Sequence, residues 1–256
     1  MQSAGHDGAN AAWQDAGMTI PEPACGLGSD PAGCGRLATY RLVRNLCASV
    51  VASGYAPTPG LLLGAAKVRP TASAGDLDNI PADGPVLVAV GAAYGAIEAL
   101  AVSVLLDEIR PDVRVAADRF VATGPNLRPH FVACDPWACQ RAAILNVRAL
   151  RQGAAWLRSG GLLAAFVAED GWTTAVRLAR LAGAAIVPAT ASRRQTGSPE
   201  GEAIELRLGA PLGAERLAGF ARDAHATGYL RWRANLLARR HEAALRLVPR
   251  PKAHFS

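Results

Sequence analysis

The feature that most constrains this chain is a short, unbroken apolar run, Pro85-Val-Leu-Val-Ala-Val90, followed at once by a glycine-containing turn and a helical pattern. A strand with one wet face alternates apolar and polar residues. A run without alternation that stops after six residues reads instead as a parallel strand covered on both faces. Similar runs recur at Leu162–Ala168 and Ala184–Ala189, with shorter strands expected at Val113–Ala117 and His130–Cys134. Ile204–Leu208 alternates and is expected as a further strand, with an edge position as one option. Helical spacing falls between them: Arg36–Ser53, Gly95–Ile109 stopped by Pro111, Cys139–Arg158, Thr173–Ala182, and Ala214–Leu247 with a break near Thr227-Gly228. Ser159-Gly160-Gly161 supplies a helix stop signal. Pro57–Gly60 ends the first helix, and Thr71–Gly84 reads as a polar loop. Strands alternating with helices predict an α/β fold, a three-layer domain with a mainly parallel central sheet and helical N- and C-terminal additions. The expected organisation is a flexible tail over residues 1–35 and a single domain over 36–256 with Arg-rich C-terminal helices.

Composition narrows the function classes. Of 256 residues, half are hydrophobic, 19% are charged and only 5% are aromatic, so the apolar surplus is aliphatic and a largely disordered chain is excluded. The apolar stretches, Pro85–Val90 and Ala96–Leu106 among them, fall well short of the roughly 20 residues that span a bilayer. The net charge is +6, carried by arginine; the lysines are Lys67 and Lys252. A basic balance favours anionic partners such as phosphate headgroups, a phosphopantetheine arm or a membrane surface. The arginines are scattered rather than interleaved with aromatics on one face, which argues against nucleic acid. Cys25, Cys34, Cys47, Cys134 and Cys139 form no CxxC pair, so neither zinc nor any other metal is expected and the thiols are read as reduced, cytosolic ones. No basic segment followed by an apolar core opens the sequence, so no signal peptide is read.

In parallel sheets, ligands bind at the carboxyl ends of strands. Two strand exits carry the polar residues that chemistry needs. After Val90 comes Gly91-Ala92-Ala93-Tyr94-Gly95-Ala96-Ile97-Glu98. Small residues there allow a ligand close to the backbone, and the following helix N-terminus favours an anion. Glu98 sits one turn into an apolar helix, where a carboxylate needs either a partner or a function. After Phe166 come Glu169 and Asp170, adjacent acids suited to proton transfer, metal ligation or helix capping; Asp170 or Thr173 could cap the following helix. Arg119 and His130 complete the polar inventory, His130 as the one histidine of the expected core. No nucleophile elbow, P-loop or full dinucleotide fingerprint occurs.

The block Asn79–Glu98 resembles the first motif of the lysophospholipid acyltransferase superfamily, in its haemolysin-like bacterial branch. Val113–Phe120, Leu127–Pro136, Ala155–Phe166 and Val176–Pro188 are similar to later blocks of that branch, in order, so the resemblance covers roughly Asp78 to Thr190. It implies an acyltransferase-like fold, an acyl-CoA or acyl-carrier-protein thioester donor, and a motif histidine that removes a proton from the acceptor. Here Asn-His-Pro has become Gly91-Ala92-Ala93, so the base position is Ala92, and Glu98 remains without the imidazole it would orient. The family's Phe-Pro-x-Gly-Glu element has become Phe166-Val-Ala-Glu169-Asp170. Loss of a general base typically removes about 10²–10⁴ in rate. Two expectations follow from the simultaneous change of both motifs. The first is a pocket repurposed to bind or transform a bulky acyl, lipid-like or carrier-bound intermediate. Glu98, Glu169, Asp170 and Tyr94 would then carry acid/base chemistry (cyclisation, isomerisation or elimination), beside Gly91, Ala92, Ala93, Gly95, Arg119 and His130 as substrate contacts. The second is a non-catalytic acyl-binding or partner protein. A divergent active acyltransferase is a further alternative. The expected location is cytoplasmic, with peripheral membrane contact open, and no resident cofactor is expected.

Overall fold

The computed structural model describes residues 31–91, 95–122, 126–135, 140–168, 171–195 and 202–247. Seven strands are formed among these: β1 (Val68–Thr71), β2 (Val86–Val90), β3 (Val113–Asp118), β4 (Phe131–Cys134), β5 (Leu162–Phe166), β6 (Ala185–Gln195) and β7 (Glu202–Leu208). They join one sheet in the order β1-β7-β6-β2-β5-β3-β4. All pairs are parallel except β6 with β7. The α/β class with a mainly parallel sheet is therefore what this sequence folds into.

β2 shows why its run lacks alternation. All five residues are buried, between β5 and β6. Val86, Val88 and Val90 face a core shared with α1 (Pro31–Ala52), α2 (Pro59–Ala65) and α4 (Ala96–Asp107); the four-residue α3 (Ala74–Leu77) lies between β1 and β2 in sequence. Leu87 and Ala89 face a second core with α6 (Gln140–Arg158), α7 (Gly171–Ala182), α8 (Ala214–Ala218) and α9 (Asp223–Leu247), while the short α5 (Arg119–Ala122) follows β3. Period-two alternation thus hands successive residues to two different helical layers, both of them dry. At the C-terminus of α6 the expected stop is present. Gly160 takes φ +92°, and the Gly161 N–H reaches back to the Trp156 carbonyl at 3.1 Å.

Several expectations are corrected. β7 is not an edge strand: β1, a strand unforeseen in the sequence, covers it. β1 carries Pro70, which cannot donate to a ladder and belongs at a sheet edge, so it reads as a non-strand by pattern. α2 forms at the supposed breaker Pro57–Gly60, because Thr58 caps the Leu61 N–H at 3.4 Å and Pro59 suits the first helical turn. α1 begins at Pro31 rather than Arg36. His130 lies in a 3-10 turn, Arg128–His130, and β4 starts one residue later. β6 runs six residues past Ala189. No break occurs at Thr227-Gly228. α9 passes through it with Ala226, Leu230 and Ala234 packed on the second core, which outweighs a helical glycine's cost of about 1 kcal/mol. The interruption falls instead between Ala218 and Asp223.

Candidate functional site

The carboxyl edge of the sheet is built from the ends of β2, β5, β3 and β4 and from the overhanging half of β6. Val90 aligns with Phe166 and Ala189, so β6 residues beyond Ala189 project past the parallel strands. Alternation puts Ala189, Ala191 and Arg193 on the α4 side. The N-terminus of α4 comes up on that side, with Gly95 as its N-cap and Glu98 in its first turn.

Glu98 is 8% exposed, and its partner is Arg193. Arg193 Nε donates to Oε1 at 2.5 Å and Nη2 to Oε2 at 3.2 Å, while Nη1 reaches Glu202 at 3.4 Å. The hydrogen bond and charge of Glu98 push the Arg193 pKa up. This forked geometry is the strong form of the arginine–carboxylate pair. Both oxygens of Glu98 are engaged, and the carboxylate folds back over its own N-cap. A β-carbon on Gly95 would stand 1.8 Å from Oε2, so a side chain there would collide with a carboxylate that Arg193 holds in place.

Other nominated residues lie elsewhere. Gly91 continues β2, its N–H bonded to the Ala189 carbonyl at 2.8 Å, and faces the other layer; a β-carbon would meet Trp172 at 2.9 Å. Arg119 opens α5, half-buried, directly after the buried Asp118 at the end of β3. His130 is at the opposite end of the sheet, with Nδ1 3.2 Å from Asp107 Oδ2. Asp107 closes the same helix that Glu98 opens, about 13 Å further along its axis. Burial raises the Asp107 pKa, and His130 acts against that rise. Ala92, Ala93, Tyr94, Glu169 and Asp170 lie outside the described residues. Among the described residues, no cluster of three His, Cys, Asp or Glu side chains is placed to hold a metal ion. Nor is any described helix long and apolar enough to cross a membrane.

A cleft of about 410 Å³ opens on the α6/α7 face, across the sheet from Glu98. Its floor is Leu87, Ala116, Leu163 and Ala165 on the sheet; α6 and α7 wall it with Ala149, Leu150, Ala175 and Leu178. It extends from mid-sheet to the carboxyl edge at Asp135, Ala168 and Gly171. Alanines where a packed interface would carry larger side chains leave this volume. The size lies within the roughly 300–1,000 Å³ of small-molecule sites. At its polar end, Asn146 clamps the β4 exit. Its Oδ1 accepts from the Asp135 N–H at 2.8 Å and its Nδ2 donates to the Asp135 carbonyl at 2.9 Å. Cys134 lines the same end; burial, with Asp118 and Asp135 nearby, pushes its pKa up to about 12. It therefore stays a protonated thiol and is no nucleophile at neutral pH. Sequence reasoning missed Arg193, Asn146 and the cleft itself. The available signal for the cleft was the density of alanine at sheet- and helix-facing positions.

No protein-family model matches the chain, and no curated protein matches it. Among solved structures, it is similar to the 1-acyl-sn-glycerophosphate (LPA) acyltransferase PlsC from Thermotoga maritima. The likeness is 15% identical, covers 90% of this chain and 86% of that one, and has a TM-score of 0.47.

Proposed function

We propose that this protein binds an acyl or similarly elongated apolar chain in the cleft between α6, α7 and the sheet, without base-catalysed acyl transfer. The observation that carries this reading is the cleft: about 410 Å³, and among the described residues apolar along its length and polar where it meets the carboxyl ends of β4 and β5. Such a shape accepts an apolar tail and leaves a polar head at the edge, where an acyl-CoA or acyl-carrier-protein thioester would present its carbonyl. The resemblance of the sequence blocks to lysophospholipid acyltransferases supports an acyl ligand, and Ala92 at the motif-histidine position argues against the family's proton abstraction. A proton-transfer role for Glu98 is disfavoured, since a carboxylate forked onto Arg193 has both oxygens occupied and faces the other side of the sheet.

The test is a chain-length series of saturated fatty acids, C8 to C16, competing with a fluorescent fatty acid. Burying each methylene contributes about 0.8 kcal/mol, so affinity should climb roughly fourfold per carbon and then level off when the cleft is full. Ala149→Trp, which fills the cleft from α6, should shorten the chain at which the plateau begins while leaving the far-UV circular dichroism unchanged. Binding that is absent, or that rises with length without a plateau in both proteins, would sink the proposal.

A further inference from the structure

We propose a second, separate ligand site: the cleft at the β4 edge of the sheet binds a phosphate group between Arg114 and Arg128. This cleft measures about 500 Å³ and lies at the amino ends of the strands, on the other flank of α6 from the acyl cleft. It does not rest on the acyl-binding reading. Arg114 is the second residue of β3 and shares a face with Ala116, so alternation turns it toward α6. There its guanidinium lies 3.9 Å from the centre of the Trp156 ring. The ring is fixed, because its N–H donates to the carbonyls of Asp112 at 3.2 Å and Leu162 at 3.1 Å. Stacking uses the face of the guanidinium and leaves its N–H donors at the rim. Arg114 Nε is buried and has no acceptor.

Arg128, on the turn before β4, lines the same cleft, and Gln152 adds an amide from α6. No carboxylate lines it among the described residues. Ser159 is already committed, donating to the Trp156 carbonyl at 2.7 Å. Donors therefore arrive from three separate elements, β3, the pre-β4 turn and α6. A carboxylate presents one planar edge and satisfies one guanidinium fork. A tetrahedral phosphate offers oxygens in several directions and can meet all three. The chain's net charge of +6 adds long-range attraction.

Isothermal titration calorimetry on the full chain tests this with inorganic phosphate, phenyl phosphate and acetate at matched low ionic strength. Phosphate should bind, acetate at least tenfold more weakly, and Arg128→Gln and Arg114→Gln should each weaken phosphate by roughly tenfold or more. Arg216→Gln, an exposed change on α8, should leave it unaltered. Phenyl phosphate binding more tightly than phosphate assigns the site to a monoester; equal or weaker binding assigns it to the free anion. Arg128 is exposed, so its variant reports even where Arg114→Gln fails to fold. The inference is overturned if phosphate gives no saturable heat, or if Arg128→Gln binds it as the parent does.

Discussion

Glu98 and Arg193 decide each other's role. A carboxylate that is 8% exposed on an apolar helix is stable there because a guanidinium forks onto it. Arg193 is itself 48% exposed in its side chain, so solvent screens part of the attraction. The expected coupling is therefore about 1–2 kcal/mol, below the 3–5 kcal/mol for breaking a fully buried pair. Urea unfolding of Glu98→Gln, Arg193→Gln and the double variant measures it; additive single effects would refute the pairing. The two described free thiols make a second residue-scale prediction. Burial raises the Cys47 and Cys134 pKa values from an ordinary 9.0 to about 12. Folded protein then holds protons that unfolded chain releases, so their contribution to stability is complete below pH 9 and is lost as pH rises through 12. Peptide mapping after iodoacetamide treatment at pH 8.5 should find both cysteines unlabelled in native protein and labelled in urea. Labelling of Cys134 in the native state would show that its thiol ionises far more readily than its buried setting implies. Sequence legibility at this scale was partial. A lone acid in an apolar helix declares that it needs a partner. The identity of that partner, 95 residues away, depends on how far β6 overhangs the sheet, which no local pattern encodes.

At the scale of elements, Arg110 is the junction between α4 and the amino ends of three strands. It is 4% exposed and forks onto Asp112 at 2.8 and 2.6 Å. It also donates to the carbonyls of Pro81, Gly84 and Gly160 at 3.2, 2.9 and 2.8 Å. One side chain thereby holds the loops that enter β2, β3 and β5. The hydrogen bond from Arg110 lowers the Asp112 pKa below its ordinary 3.8. A lowered carboxylate pKa supplies stability that is present above 3.8 and lost as pH falls through the folded value. Arg110→Ala should destabilise by about 2–3 kcal/mol, since three carbonyls lose their donor while Asp112, 36% exposed in its side chain, falls back on solvent. Asp112→Asn should remove part of the acid limb below pH 3.8 in a pH series of chemical denaturation. An unchanged acid limb would show that the pair carries no linkage. In the sequence, Arg110-Pro111 registers only as a helix stop. A buried hub made of loop carbonyls leaves no periodic trace, just as Pro70 hides β1 and the packing of α9 overrides Gly228.

At the scale of the molecule, the parallel sheet was legible because a both-faces-buried strand leaves a continuous apolar run, as Val86–Val90 does. The cleft was not, because a void is a deficit of volume between elements far apart in sequence, Ala116 and Ala165 on strands against Ala149 and Ala175 on helices. This arrangement separates two ideas that the sequence had merged. The sheet stands between the α6/α7 cleft and Glu98, so a ligand in the cleft should rigidify one layer of the molecule and leave local opening in the other unaffected. A ligand at a hundred times its dissociation constant stabilises the folded state by about 2.7 kcal/mol, or roughly 5–10 °C in Tm for a chain of this size. Hydrogen exchange with a bound C12 fatty acid should concentrate the added protection in α6, α7 and the ends of β4 and β5. The first turn of α4 and the overhang of β6 should exchange as they do in the free protein. Protection focused on Glu98 and Arg193 would move the site to the opposite face and return the buried carboxylate to the chemistry. Equal added protection in both layers of the amides that exchange by local opening would leave the ligand without a seat in the cleft.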